Sequence, residues 1–186
     1  MPRLAILICH LNHRVGQLQR LMDRLSAQCS ITEISIFIHT DAGEKPVGQK
    51  RNELLRGPQE WSIPYCSFID DDDLVTDDYC PRILTALQEN PDVVGLEGLL
   101  VRPAPAKPET FIHSMQYSRW FETGPPGSKT YFRPPNHLNP VKTELAIATG
   151  FKPLTHGEDR DYSHRLRPLL KSEVFLEGPV YHYFAP

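Results

Sequence analysis

Residues 4–9, Leu-Ala-Ile-Leu-Ile-Cys, are apolar without interruption. The run is too short to span a bilayer or to serve as the core of a signal peptide. It reads as a strand covered on both faces. After the polar stretch His10-Leu11-Asn12-His13-Arg14, the residues Val15, Leu18, Leu21, Met22 and Leu25 recur at helical spacing. Ile34, Ile36 and Ile38 then alternate as a second strand, ending at His39-Thr40-Asp41. A strand–helix–strand unit of this kind implies a parallel sheet joined by a right-handed crossover. Ligands of such sheets bind outside the carboxyl ends of the strands. Arg14 and Asp41 fall at two such ends.

A third apolar run, residues 65–69, leads directly into Asp70-Asp71-Asp72-Asp73. Four carboxylates at a strand end repel one another unless a hard cation sits among them. The alternative is a solvated acidic loop tip. Upstream, Gln49 to Leu55 forms a short helix carrying Lys50, Arg51 and Asn52. Downstream, Thr76-Asp77-Asp78 caps a helix whose apolar face is Ile83, Leu84 and Leu87, with acids where the dipole favours them. Residues 93–101 make a fourth strand. Residues 102–142 hold six Lys or Arg against two acids and are rich in proline and aromatics. They suit a flap over the sheet, a surface for a polar partner, or a plain proline-rich connection. Asn139-Pro140 starts a helix as N-cap and first residue, and Gly150 ends it. The polar loop from His156 to Tyr162 runs into a helix bearing Tyr162, Leu166 and Leu169. Two short strands follow, near residues 174–176 and 180–183.

With 186 residues, 40% of them apolar and 23% charged, the chain suits one α/β domain with a single sizeable core. A net charge of −3 creates no global field for nucleic acid or an anionic membrane. Cys9, Cys29, Cys66 and Cys80 lack ligand-like spacing and read as buried thiols in a reducing compartment. A soluble cytoplasmic protein is the expectation.

The order of these features resembles the family 2 glycosyltransferases. The Arg14 loop comes first, then Asp41, the Gln49-Lys50-Arg51-Asn52 helix, Phe68-Ile69-Asp70-Asp71-Asp72-Asp73, and Gly157-Glu158-Asp159. The resemblance covers most of residues 4–182 and is weakest across residues 102–131. It implies the GT-A fold, a mostly parallel central sheet flanked by helices. Residues 1–101 would form the nucleotide-sugar half and residues 102–186 the acceptor and catalytic half. It also implies a nucleoside-diphosphate sugar donor, a UDP-sugar above all, and Mn2+ or Mg2+ bridging its phosphates. Asp41 would accept from the base, with Arg14, Lys50, Arg51 and Asn52 near the nucleotide. Asp70 would meet ribose or metal-bound water, and Asp72 the metal. Asp71 and Asp73 stay candidates, because four consecutive acids leave the register of the Asp-x-Asp motif open by one residue. His182 would complete the metal shell. Asp159 would be the general base of an inverting transfer, with Glu158 on acceptor or sugar hydroxyls. Asn136 and His137 are candidates for donor or acceptor contacts, and Trp120 for stacking on a sugar face.

Two other classes remain in view. A nucleotidyltransferase of related fold would also use a carboxylate-held metal, but its first loop is usually glycine-rich, and residues 10–14 contain no glycine. A non-catalytic nucleotide-sugar-binding domain would have no need for Asp159 as a base. The acceptor is open among saccharide, protein and modified nucleobase. The basic aromatic segment keeps the last in view.

Overall fold

The computed structural model describes residues 2–28 and 32–185. The uninterrupted run at the start lies within β1 (Leu4–Leu11), which is paired in parallel with β2 (Ile34–Asp41) on one side and β3 (Tyr65–Phe68) on the other. Alternation along β1 splits its side chains between two cores. Leu4, Ile6 and Ile8 pack with Leu21 and Leu25 of α1 (Val15–Ser26) and Ile83 of α4 (Tyr79–Ala86). Ala5 and Leu7 pack on the opposite face with Leu54, Phe151 and Tyr162. Those three come from α2 (Val47–Leu54), the loop after α5 (Thr143–Thr149), and α6 (Glu158–Leu166). A fourth helix on that side of the chain, α3 (Arg56–Glu60), is a short turn behind α2. The result is a central, mostly parallel sheet with helices on both faces. Each fully buried aliphatic side chain contributes about 1.5–3 kcal/mol.

The sheet runs β2-β1-β3-β9-β5-β6-β8-β7. The expected fourth strand is β5 (Val93–Val101). The two-residue strand β9 (Val141–Lys142) is antiparallel to both β3 and β5 and joins the halves of the sheet. Another short strand, β4 (Leu74–Val75), follows the acidic cluster and pairs with β10 (Glu173–Phe184).

Several expectations change here. Residues 102–142 are neither a flap nor a plain connection. They add β6 (Glu109–His113), β7 (Phe121–Thr123) and β8 (Thr130–Arg133) to the sheet. Buried Glu109 ties this extension together, accepting from the Lys129 N–H and the Tyr131 hydroxyl at 3.0 Å each. Much of the aromatic content packs on itself, Phe121 stacking on Phe132 at 4.8 Å and Tyr117 meeting both edge-on. Asn139 is not a helix cap. The chain enters β9 first, and α5 begins only at Thr143. The two final strands are one, because Gly178-Pro179 forms a bulge and β10 continues along β5. Leu169 lies in a 3-10 turn and is exposed, not on the buried face of α6.

Cys80 is disulfide-bonded, whereas Cys9 and Cys66 are free. Burial pushes both free thiols up to about 12. Cys29 lies outside the described residues. The inference of a reducing compartment therefore loses part of its basis. No helix among the described residues is long and apolar enough to cross a membrane.

One close approach positions the site. The Gly48 N–H donates to the Leu154 carbonyl at 3.0 Å, and a Cβ on Gly48 would sit 1.9 Å from the Lys152 carbonyl oxygen. Asn52 clamps the same segment, donating from Nδ2 to the Phe151 carbonyl and accepting the Phe151 N–H, both at 2.8 Å. Gly48→Ala is expected to lower stability by about 1–3 kcal/mol through overpacking. A urea-unfolding midpoint equal to wild type would show that the loop moves aside without strain.

Candidate active site

Asp70 to Asp73 follow β3 and occupy four different environments. Buried Asp71 accepts from the Leu11 N–H and Arg14 at 2.9 Å each, and its other contact is His10 Nδ1, also at 2.9 Å. Buried Asp73 accepts from the Tyr181 hydroxyl and the Phe184 N–H, at 2.8 Å each. Asp72 pairs with Arg14 at 2.8 Å and keeps 34% of its side chain exposed. Asp70 pairs with Arg51 at 3.2 Å and His137 at 3.3 Å and keeps 28% exposed. Burial raises the Asp70 carboxyl, but the charges of His137 and Arg51 outweigh it and hold the group well below the usual carboxylate range. Burial, reinforced by the charge on Asp70, pushes Asp73 up to about 8. The cluster is thus neither a solvated tip nor four equivalent ligands.

Arg51 is buried and spans two elements. Its Nη1 donates to Glu158 at 2.8 Å and its Nη2 to Asp70 at 3.2 Å. Its guanidinium lies 5.7 Å from the Phe68 ring and 5.4 Å from the Phe151 ring. Burial works against the cation, and Asp70 and Glu158 are among the charges that outweigh it. Glu158 and Asp159 start α6 directly after Gly157, whose φ of +80° suits a residue without a side chain. Their charges favour the positive end of the helix dipole.

A cleft of about 340 Å³ opens between these groups. Arg51, Asp70, Glu158 and Asp159 line it, together with Asn136, His137 and Trp120. These expected site residues, distant in sequence, meet in one cavity. Asp159 forms no ion pair among the described residues. Its hydrogen bond there is from the adjoining Arg160 N–H at 2.7 Å. Asn136 is buried, and its side chain accepts the Leu138 N–H to shape the turn that presents His137. Trp120 has the Arg133 guanidinium 4.2 Å over its ring rather than a bare face.

Other expected residues stand elsewhere. Asp41 accepts from Lys50 at 2.8 Å and from the Gly43 and Lys45 N–H groups at 3.2 Å each, so it orders its own loop. Lys50 is buried in that pair. Asn52 is the Phe151 clamp, with both ends of its amide engaged. His182 does not join Asp72. Alternation along β10 turns Tyr181 to Asp73 and Tyr183 to the cavity, and leaves His182 on the opposite face. Burial lowers its imidazole, helped by Arg24 of α1. Among the described residues no group of three or more His, Cys, Asp or Glu side chains is arranged to hold an ion. Asp70 and Asp72 are the two acids of the run that stay partly exposed.

The cavity also contains residues that the sequence did not single out: His113, Tyr131, Arg133 and Tyr183. His113 is fully buried. The Asn139 amide nitrogen donates to the Val94 carbonyl, so the amide oxygen faces His113 Nδ1 at 3.2 Å and accepts from it. Burial pushes the imidazole well below its ordinary value, and Arg133 and His137 add to this. The ring is neutral, with Nδ1 carrying the proton. Nε2, without a partner among the described residues, is therefore a hydrogen-bond acceptor. Period-two alternation in Glu109–His113 and Thr130–Arg133 is the signal that could have revealed these positions.

The parallel strands lead to an acidic cluster, and a Glu-Asp pair on a later helix lines the same cavity as Asp70, on a fold that is GT-A-like. No protein-family model matches this chain, and no curated protein does. Among solved structures the chain is similar to residues 1–349 of S. aureus TarS, with a TM-score of 0.73 and 14% identity over 99% of this chain and 60% of that one. The same TarS segment in complex with UDP-GlcNAc gives 0.70 and 13%, over 100% and 59%. In complex with UDP it gives 0.71 and 14%, over 100% and 61%. The chain thus spans about three-fifths of the TarS segment it matches.

Arg51→Met would leave Glu158 buried without a counter-charge. A loss of about 3–5 kcal/mol in urea unfolding is expected. Arg51→Met combined with Glu158→Gln should recover part of it, and equal losses in both variants would remove the ion bridge as the cause.

Proposed function

We propose that this chain is an inverting glycosyltransferase that moves a sugar, a hexose or N-acetylhexosamine, from a UDP-sugar to an acceptor hydroxyl. The observation that carries this reading is Asp159. It is a carboxylate without an ion pair among the described residues, in the same cavity as Asp70. The fold shared with TarS, whose segment is seen with UDP-GlcNAc and UDP, supports the donor class.

In this reading Asp159 takes the proton from the acceptor hydroxyl. The acceptor oxygen bonds to the anomeric carbon as the bond from that carbon to the phosphate oxygen breaks, and the electron pair leaves with UDP. Arg51 holds Asp70 and Glu158 in fixed positions, so the cavity is preorganised before substrate arrives. Asp70 and Asp72 would hold Mn2+ or Mg2+, whose chemistry is to neutralise charge developing on the departing diphosphate.

Asp159→Asn is expected to cut transfer by about 10²–10⁴-fold while leaving the UDP-induced thermal shift intact. Undiminished turnover would refute the base assignment. Asp72→Asn should remove the part of the UDP-induced thermal shift that depends on Mn2+. A UDP shift that is indifferent to Mn2+ in the wild type would remove the metal from the proposal.

A further inference from the structure

The arginines around the acidic groups are not equivalent. Arg14 is paired with Asp71 and Asp72, and Arg51 with Asp70 and Glu158. Arg133 is half-buried in the cavity wall, and its guanidinium has no hydrogen bond or ion pair among the described residues. Its neighbours are rings, Trp120 at 4.2 Å and Tyr131 at 5.9 Å. Arg160, exposed on the first turn of α6, lies 5.9 Å over the same Trp120 ring, and its guanidinium is also unpaired among the described residues. Two like charges therefore converge on one indole.

The indole is itself held. Trp120 Nε1 points to the Ser163 hydroxyl at 3.5 Å, and that hydroxyl donates to the Pro134 carbonyl at 3.1 Å. This links β8, α6 and the Trp120 segment into one wall. Burial lowers the Arg133 guanidinium, and the charge on Asp159 acts through space without forming an ion pair. A cation partly withdrawn from water and left unpaired is less favourable in the empty protein than a paired one. An anion would reverse that penalty, and a planar guanidinium suits a phosphate or carboxylate.

We propose that Arg133 in the cavity wall and Arg160 beside it, which share the Trp120 ring, bind a phosphate or carboxylate group carried by the acceptor. Assigning the group to the acceptor rests on the transferase reading above. The anion site itself does not. Asp159 adjoins Arg160 in the chain and lines the same cavity as Arg133, so an acceptor anchored here would present a hydroxyl to the base. Asp70 is held separately by Arg51 and His137. The same chemistry could instead engage the donor's diphosphate, and the experiment distinguishes the two sources.

The chain has two tryptophans, Trp61 and Trp120, so the indole N–H resonances are readily assigned with Trp61→Phe. Titration of the full chain with glycerol phosphate, with and without saturating UDP, should shift the Trp120 signal. The binding should persist with UDP present and weaken at least about tenfold in Arg133→Met. Arg160→Met, at an exposed position, serves as the second variant and should also weaken it. Glycerol alone should produce no shift. Displacement of glycerol phosphate by UDP would assign the arginines to the donor diphosphate and overturn the acceptor assignment. Equal binding in wild type and both variants, or none in the wild type, would overturn the anion site. Arginine-dependent binding in a protein that does not bind UDP would keep the anion site and remove the transferase reading with its acceptor clause.

Discussion

The buried guanidinium of Arg51 is the interaction on which the rest of the site depends. It connects the end of β3 to the start of α6, and Arg51 itself stands 107 residues before its Glu158 partner. A buried ion triad is not by itself a source of stability, since desolvation offsets much of the attraction. Its value here is geometric. Phe68 and Phe151 meet edge to face at 5.4 Å and flank the cation, so it can pair only with the carboxylates aimed at it. Asn52 and Gly48 on the same helix fix the loop that leads to Glu158. One helix, α2, therefore sets both walls of the cleft.

The acidic run divides its labour. Asp71 anchors the loop after β1, Asp73 anchors β10, and Asp70 and Asp72 face outward. Four adjacent carboxylates cannot all remain charged at low cost. The structure meets that constraint by pairing Asp70 with Arg51 and by letting burial raise Asp73. Sequence spacing alone could not separate these roles, because alternation in an irregular loop follows no period.

Much of the architecture was legible because the apolar pattern carries it. Residues 4–9 read as a strand covered on both faces, and Val93–Val101 matched its observed bounds. Arg51, Asp70, Glu158 and Asp159 were recognisable from their order, and they share one cavity. The pattern failed where tertiary contacts decide. Asn139 looks like a helix cap, yet its amide serves Val94 and the Asn136 turn. Gly178-Pro179 looks like a break, yet β5 carries β10 through a bulge. His182 looked like a ligand, but strand alternation sends it to the far face. His113 and Arg133 went unread because the strands that hold them were hidden among prolines and aromatics.

The role of β10 has a further consequence. Asp73 receives hydrogen bonds from Tyr181 and Phe184, residues 108 and 111 positions later in the chain. During synthesis the acidic loop leaves the ribosome long before these partners exist. The carboxylate cluster cannot take this arrangement until β10 has been made, and the core under β1 likewise waits for Phe151 and Tyr162. The acidic edge and the core behind it are therefore completed together, once β10 lies along β5.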